Sequence, residues 1–180
     1  MRASSFFVFR HLIFLIAIAF IVLYGTAQAQ FTTTTNSDGS LTITGYTGSG
    51  GAVTIPGSIG GVPVTSIGGD AFAFSSTLTS VTIPGSITSI GTSTGSGPFV
   101  FCSNLTTITV NNAGINNPNY ISVDGVLFNS SQTTLIQYPP GNVSTSYTIP
   151  GSVISIGESA FDSCTKLTSV TIPPATPAAW

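Results

Sequence analysis

A chain of 180 residues sets one domain as the default, and 42% hydrophobic residues set it apart from disordered sequences. Charge is sparse: Lys and Arg together number 3, Asp and Glu 5, and the net charge is −2. Arg2 and Arg10 stand near the N-terminus, so the remainder keeps Lys166 alone and lacks the basic groups that nucleic acid or an anionic membrane surface requires.

Residues 1–29 read as a secretory signal peptide. Arg2, Arg10 and His11 form a basic n-region, Leu12 to Leu23 is an unbroken apolar run, and Ala27-Gln28-Ala29 offers small residues for cleavage after Ala29. An apolar helix of that length spans about 18 Å against a hydrocarbon core of ~30 Å, so a membrane anchor is the weaker reading. The product is expected to be secreted or held at the cell surface, with no membrane insertion once the leader is removed.

Residues 30–54 lead into a repeat that occupies residues 55–173. "IPGSVISIGESAFDSCTKLTSVT", Ile149 to Thr171, is followed by Ile172, a period of 23. The copy from Ile55 fits the same frame if "IGGVP", Ile59 to Pro63, is an insertion. The copy from Ile83 fits if extra residues lie between Gly91 and Phe99. Phe72, Phe99 and Phe161 then align, as do Ser75, Cys102 and Cys164, and Leu78, Leu105 and Leu167. "LTSVTI" and "LTTITV" alternate at period 2 and are β-branched, which predicts short strands ended by Pro. "VTSI", "ITSI" and "VISI" predict a second short strand, and "GGDAF" and "GESAF" predict corners holding at most a helical turn. Residues 111–148 read as one or two degenerate coils that keep Phe128 as their aromatic and Pro139 as their strand end. Residues 174–180 form a short Pro-rich tail. Either Trp180 and this tail cover the last hydrophobic layer, or the chain is the start of a longer protein; the second is preferred. One repeat has no core of its own, so stacking must bury the Ile, Leu, Val and Phe columns of a solenoid.

The pattern Ile-Pro-x-x-Val-x-x-Ile-Gly-x-x-Ala-Phe-x-x-Cys-x-x-Leu-x-x-Val-x-Ile-Pro, carried by residues 149–173 and with insertions by 55–110, resembles the BspA-type leucine-rich repeat. The segment Leu41 to Pro56 resembles the N-terminal capping segment of that family. The resemblance implies a leucine-rich repeat solenoid, mainly β, of about four to five coils. It implies an exported, often surface-attached protein concerned with interaction or adhesion rather than catalysis.

Catalytic and metal chemistry find few residues here. Beyond residue 29 there is no His or Arg to serve a nucleophile, and Lys166 falls in an exposed turn. Glu158 and Asp162 are the nearest pair of carboxylates, and both read as solvated turn residues rather than a glycosidase pair or calcium ligands. Asp38 and Asp124 precede Gly and read as turn formers. Cys102 and Cys164 share one column. Coils stack about 4.8 Å apart, so two or more coils of separation exclude a bridge, and two buried free thiols are expected. Asn104, Asn129 and Asn142 fit an N-glycosylation pattern, which matters only on a eukaryotic secretory route. No catalytic residue, metal, disulfide or cofactor is expected.

What remains is a surface. The outward residues of the Leu strand, Ser80, Thr82, Thr107, Thr109, Ser169 and Thr171, should form one hydroxyl-rich face able to hydrogen-bond an extracellular protein or polysaccharide. Loops at 92–98 and 111–120 could add to it. Thr on a solvent face also satisfies β-propensity without any ligand. The alternative is a structural spacer or coat element that self-associates through an open C-terminal end.

Overall fold

The computed structural model describes residues 29–91, 97–111 and 117–174. The signal-peptide reading therefore lies outside the described residues. Every regular element among them is a β-strand. The corners hold no helical turn. Asp70 and Phe74 take φ of 57° and 60°, and Ser159 and Ser163 take 56° and 60°, so right-handed helix is broken at each of these corners.

The chain opens with a hairpin, β1 (Phe31–Thr35) antiparallel to β2 (Leu41–Tyr46). Its turn is closed by Asp38, whose carboxylate accepts hydrogen bonds from Ser40 N at 2.9 Å and Ser40 Oγ at 2.6 Å. Among the described strands β1 pairs with β2 alone and so lies at the outer edge of its sheet. Next come β3 (Gly51–Thr54), β4 (Ser58–Ile59), β5 (Val62–Ile67), β6 (Leu78–Ile83), β7 (Ser89–Ile90) and β8 (Thr107–Val110). With β2, and apart from β4, these form two parallel stacks. β2, β5 and β7 pair in register through Ile43, Ile67 and Ile90; β3, β6 and β8 pair through Val53, Val81 and Ile108. Each coil gives one strand to each stack, and the aligned side chains are buried. At about 1.5–3 kcal/mol per fully buried aliphatic side chain, the stacked columns are what make the repeat stable. Tyr46, Phe72 and Phe99 continue the pattern between the stacks, with successive ring centroids 5.2 Å apart.

The "IGGVP" insertion is a small hairpin. Ser58 and Ile59 pair antiparallel with Pro63 and Val62, and Gly60 and Gly61 take φ of 59° and 83°. A two-residue hairpin turn of this hand needs φ > 0 at both central positions, which glycine supplies without steric cost.

The middle segment holds one imperfect coil, carried by the strands Thr134–Gln137 and Ser146–Thr148, preceded by strands that do not follow the repeat. β9 (Tyr120–Val123), β10 (Val126–Asn129) and β11 (Thr134–Gln137) form an antiparallel meander. Asp124 and Gly125, at φ of 50° and 80°, make its first turn. Asn129 Oδ1 closes the second by accepting from Thr133 N and Thr134 N, both at 2.8 Å. β11 then resumes the parallel stacking by pairing with β13 (Ser155–Ile156), while β12 (Ser146–Thr148) pairs with β14 (Ser169–Thr171). The result is a solenoid of about five turns. The aromatic of the fourth coil is Tyr138, not Phe128: Tyr138 stacks on Phe161 at 5.5 Å and its N–H donates to Ala160 O at 2.8 Å. Phe128 belongs to β10, where Val126, Leu127 and Phe128 are all buried.

The meander divides the interior. One core cluster runs from Phe31 to Val110 and takes in Leu127; the other holds Val126, Phe128, Leu135, Tyr138, Ile149 and Ala160. Adjacent residues of β10 thus point to opposite faces and enter different cores. Asn117, buried, fixes the approach to the meander: its Nδ2 donates to Pro84 O and Ile87 O, and its Oδ1 accepts from Asn119 N and Tyr120 N.

Candidate functional site

The six hydroxyl residues fall into two patches rather than one. On β6 and β8, Ser80 pairs with Thr107 and Thr82 with Thr109, and on β3 Ala52 and Thr54 extend the same two rows. Thr109 is exposed; Ser80, Thr82 and Thr107 are half-buried. Ser169 and Thr171 lie on β14, paired with Ser146 and Thr148 of β12, and are exposed. What separates the patches is the β9–β10 hairpin. It lies against the far edge of β8, where Ile108 N donates to Gly125 O at 2.9 Å and Val110 N to Ser122 Oγ at 3.0 Å. The antiparallel meander was not legible as such, so the interruption was not either.

Other hydroxyls on these coils have structural tasks. Thr106 Oγ1 donates to Thr79 O at 3.1 Å and Thr168 Oγ1 to Thr145 O at 2.9 Å, each tying one coil to its neighbour. The two loops proposed as additional contacts are described only in part. Gly97, Pro98 and Asn117 are buried, so these parts anchor their loops; residues 92–96 and 112–116 lie outside the described residues.

The thiols are free. Cys102 is fully buried and its S–H donates to Phe72 O at 3.0 Å; burial pushes its pKa up to about 11. Cys164 is only partly buried, which corrects the expectation of two buried thiols: it stands in the last described coil. It contacts Tyr138 O at 3.8 Å, and burial, aided by Asp162, raises its pKa to about 12. Glu158, Asp162 and Lys166 are exposed. Among the described residues, no three His, Cys, Asp or Glu side chains are grouped to hold a metal. No described helix is long and apolar enough to cross a membrane.

Two features escaped the sequence reading. Phe74 and Phe101 are 72% and 50% exposed, with ring centroids 4.7 Å apart and an interplanar angle of 10°. The signal was the second Phe of "AFAF" and "PFVF", where the last copy has "AFDS". At the C-terminal end, Ile154 and Ile172 are 86% and 69% exposed, beside exposed Ile156 and Val170.

The BspA type leucine rich repeat region, in 6 copies, matches residues 52–144 and 142–177. The chain belongs to the BspA-type leucine-rich repeat family. Among solved structures, this BspA-type chain is similar to the T. pallidum leucine rich repeat protein, at 27% identity and a TM-score of 0.52, over 79% of this chain and 68% of that one. It is also similar to the pneumococcal vaccine antigen PcpA, at 22% identity and a TM-score of 0.48, covering 69% of this chain. The matched part is 34% of PcpA, so the chain spans about a third of that protein. A leucine-rich repeat protein from Bacteroides ovatus is 23% identical with a TM-score of 0.48, over 80% of this chain and 40% of that one. No curated protein matches the chain.

Proposed function

We propose that this BspA-type solenoid is an exported, non-catalytic interaction module, working in adhesion or in binding an extracellular protein or polysaccharide. The observation that supports this most is the in-register pair of rows on β3, β6 and β8, where Ser80–Thr107 and Thr82–Thr109 present neighbouring hydroxyls on a rigid ladder. Few charges surround them, so recognition rests on hydrogen bonding and shape rather than on steering. The patch carries few aromatic or Arg anchors, so a single chain binds weakly.

The test is retention of the full chain on immobilised matrix proteins, cells and polysaccharides. Thr82→Lys with Thr109→Lys should weaken retention at least tenfold while the thermal midpoint stays within about 3 °C. Retention unchanged by both substitutions would remove this face from consideration. A second reading, self-association through the last coil, is favoured by the exposed Ile154, Ile156, Val170 and Ile172.

A further inference from the structure

Phe74 and Phe101 occupy equivalent corners of the second and third coils. Both take left-handed φ, 60° and 59°. That region is costly for a bulky side chain, and exposure adds the cost of hydrating an aromatic face. The corner itself does not require an aromatic, since Ser163 turns the last coil at φ 60°. The backbone there is fixed: Phe74 N donates to Val100 O at 3.1 Å and Phe101 N to Ser163 Oγ at 3.2 Å. The rings are thus held parallel on a rigid turn without serving either core cluster.

Stacking also leaves a ring face uncovered. The corner of the second coil runs from 68 to 77, between β5 and β6; that of the first coil runs only from 47 to 50, between β2 and β3. The short corner, Thr-Gly-Ser-Gly, brings no large side chain, and Phe74 stays 72% exposed. Where another coil would add a third ring, the aromatic stack stops. Exposed Ser49, Ser76 and Thr77 belong to the two corners that flank this step. An exposed aromatic plane on corners that also carry uncharged hydroxyls is complementary to a sugar ring, whose C–H face packs on the aromatic quadrupole while its rim takes hydrogen bonds. The only charged side chain on these two corners is Asp70, which disfavours an anionic polymer.

We propose that Phe74 and Phe101 form a platform that binds a neutral polysaccharide by stacking a pyranose ring on the open face of Phe74. This names a ligand class and a site separate from the β6–β8 face, and it rests on the reading of the chain as an interaction module. The experiment is affinity electrophoresis of the full chain in native gels containing β-glucan, dextran or mannan, with polygalacturonate as the anionic counterpart. Retardation by at least one neutral polymer is expected, insensitive to salt. Phe74→Ser with Phe101→Ser, which copies Ser163, should weaken it about tenfold at an unchanged thermal midpoint, and Phe74→Tyr should keep it. Absence of retardation in every neutral gel, retardation by polygalacturonate alone, or retardation that survives the double Ser variant overturns the proposal. Retardation lost instead in the Thr82→Lys, Thr109→Lys variant leaves the interaction module standing and moves the site to the sheet face. Binding to nothing in either panel sinks both.

Discussion

Phe72 and Phe99 could be read from the sequence because each sits in an unbroken apolar frame, and they meet at 5.2 Å. Tyr138 could not, because the frame is lost across the meander and only its contact with Phe161 restores it. Phe74 and Phe101 were invisible for another reason: periodicity identifies which positions recur, not which side of a left-handed corner a side chain takes. The thiols give a pH prediction. Folding raises Cys102 and Cys164 from an ordinary 9.0 to about 11 and about 12, so the folded state disfavours the thiolate. Their contribution is fully present below about pH 9, and it is lost as pH rises toward the folded values, because the unfolded chain ionises first. Tyr147, raised from 10.0 to about 12, adds to the same loss above pH 10. The urea midpoint should be flat with respect to these groups from pH 6 to 8 and fall between pH 9 and 10.5; in a Cys102→Ala, Cys164→Ala chain the fall should be shallower. A midpoint that rises across that window would contradict the burial of both groups. Gly141 offers a second test. A Cβ there would meet Asn104 C at 2.5 Å and Leu105 N at 2.6 Å, both backbone atoms of the preceding coil. Gly141→Ala should cost about 1–3 kcal/mol in denaturant unfolding, by forcing the third and fourth coils apart.

At the scale of elements, alternation and β-branching made β5, β6, β7, β8, β13 and β14 legible, and their pairing follows from the repeat. The meander was not. "SVDGVL" gave a turn at Asp124 and Gly125, yet a turn signal alone does not say that the strands on either side pair with each other rather than with neighbouring coils. β10 also lacks alternation, since Val126, Leu127 and Phe128 are all buried, a pattern that fits a strand covered on both faces. Its position between the two core clusters makes it the joint of the molecule. Phe128→Ala should therefore cost about 3–5 kcal/mol and let the C-terminal coils unfold ahead of the rest, seen as early loss of amide protection in β11 to β14. Asn117→Ala attacks the same joint from its approach. It leaves the carbonyls of Pro84 and Ile87 and the N–H groups of Asn119 and Tyr120 without this buried partner, at about 1–3 kcal/mol. If protection falls evenly over all strands in both variants, the coils fold as one unit and the meander is no boundary.

The two ends of the solenoid differ. At the N-terminal end the first stack finishes in β1, which is antiparallel to its neighbour and carries exposed Thr32, Thr34 and Thr35, while the second finishes in the short strand β3. In the β1 sheet that surface is polar and breaks the parallel register, as an end that resists stacking should. At the other end β13 and β14 each pair on one side among the described strands, and Ile154, Ile156, Val170 and Ile172 are exposed. Two C-terminal ends are alike, and a two-fold contact between them closes after a single step. The area is that of one coil, so the contact should be weak and depend on concentration. Sedimentation of the full chain should show a monomer–dimer equilibrium, and Ile154→Asp with Ile172→Asp should abolish it without changing the thermal midpoint by more than about 3 °C. Species growing beyond the dimer would mean that the N-terminal end, through β1 or β3, also pairs. A chain that stays monomeric as the concentration rises would mean that these isoleucines are covered from within their own polypeptide, and the self-association reading would fall.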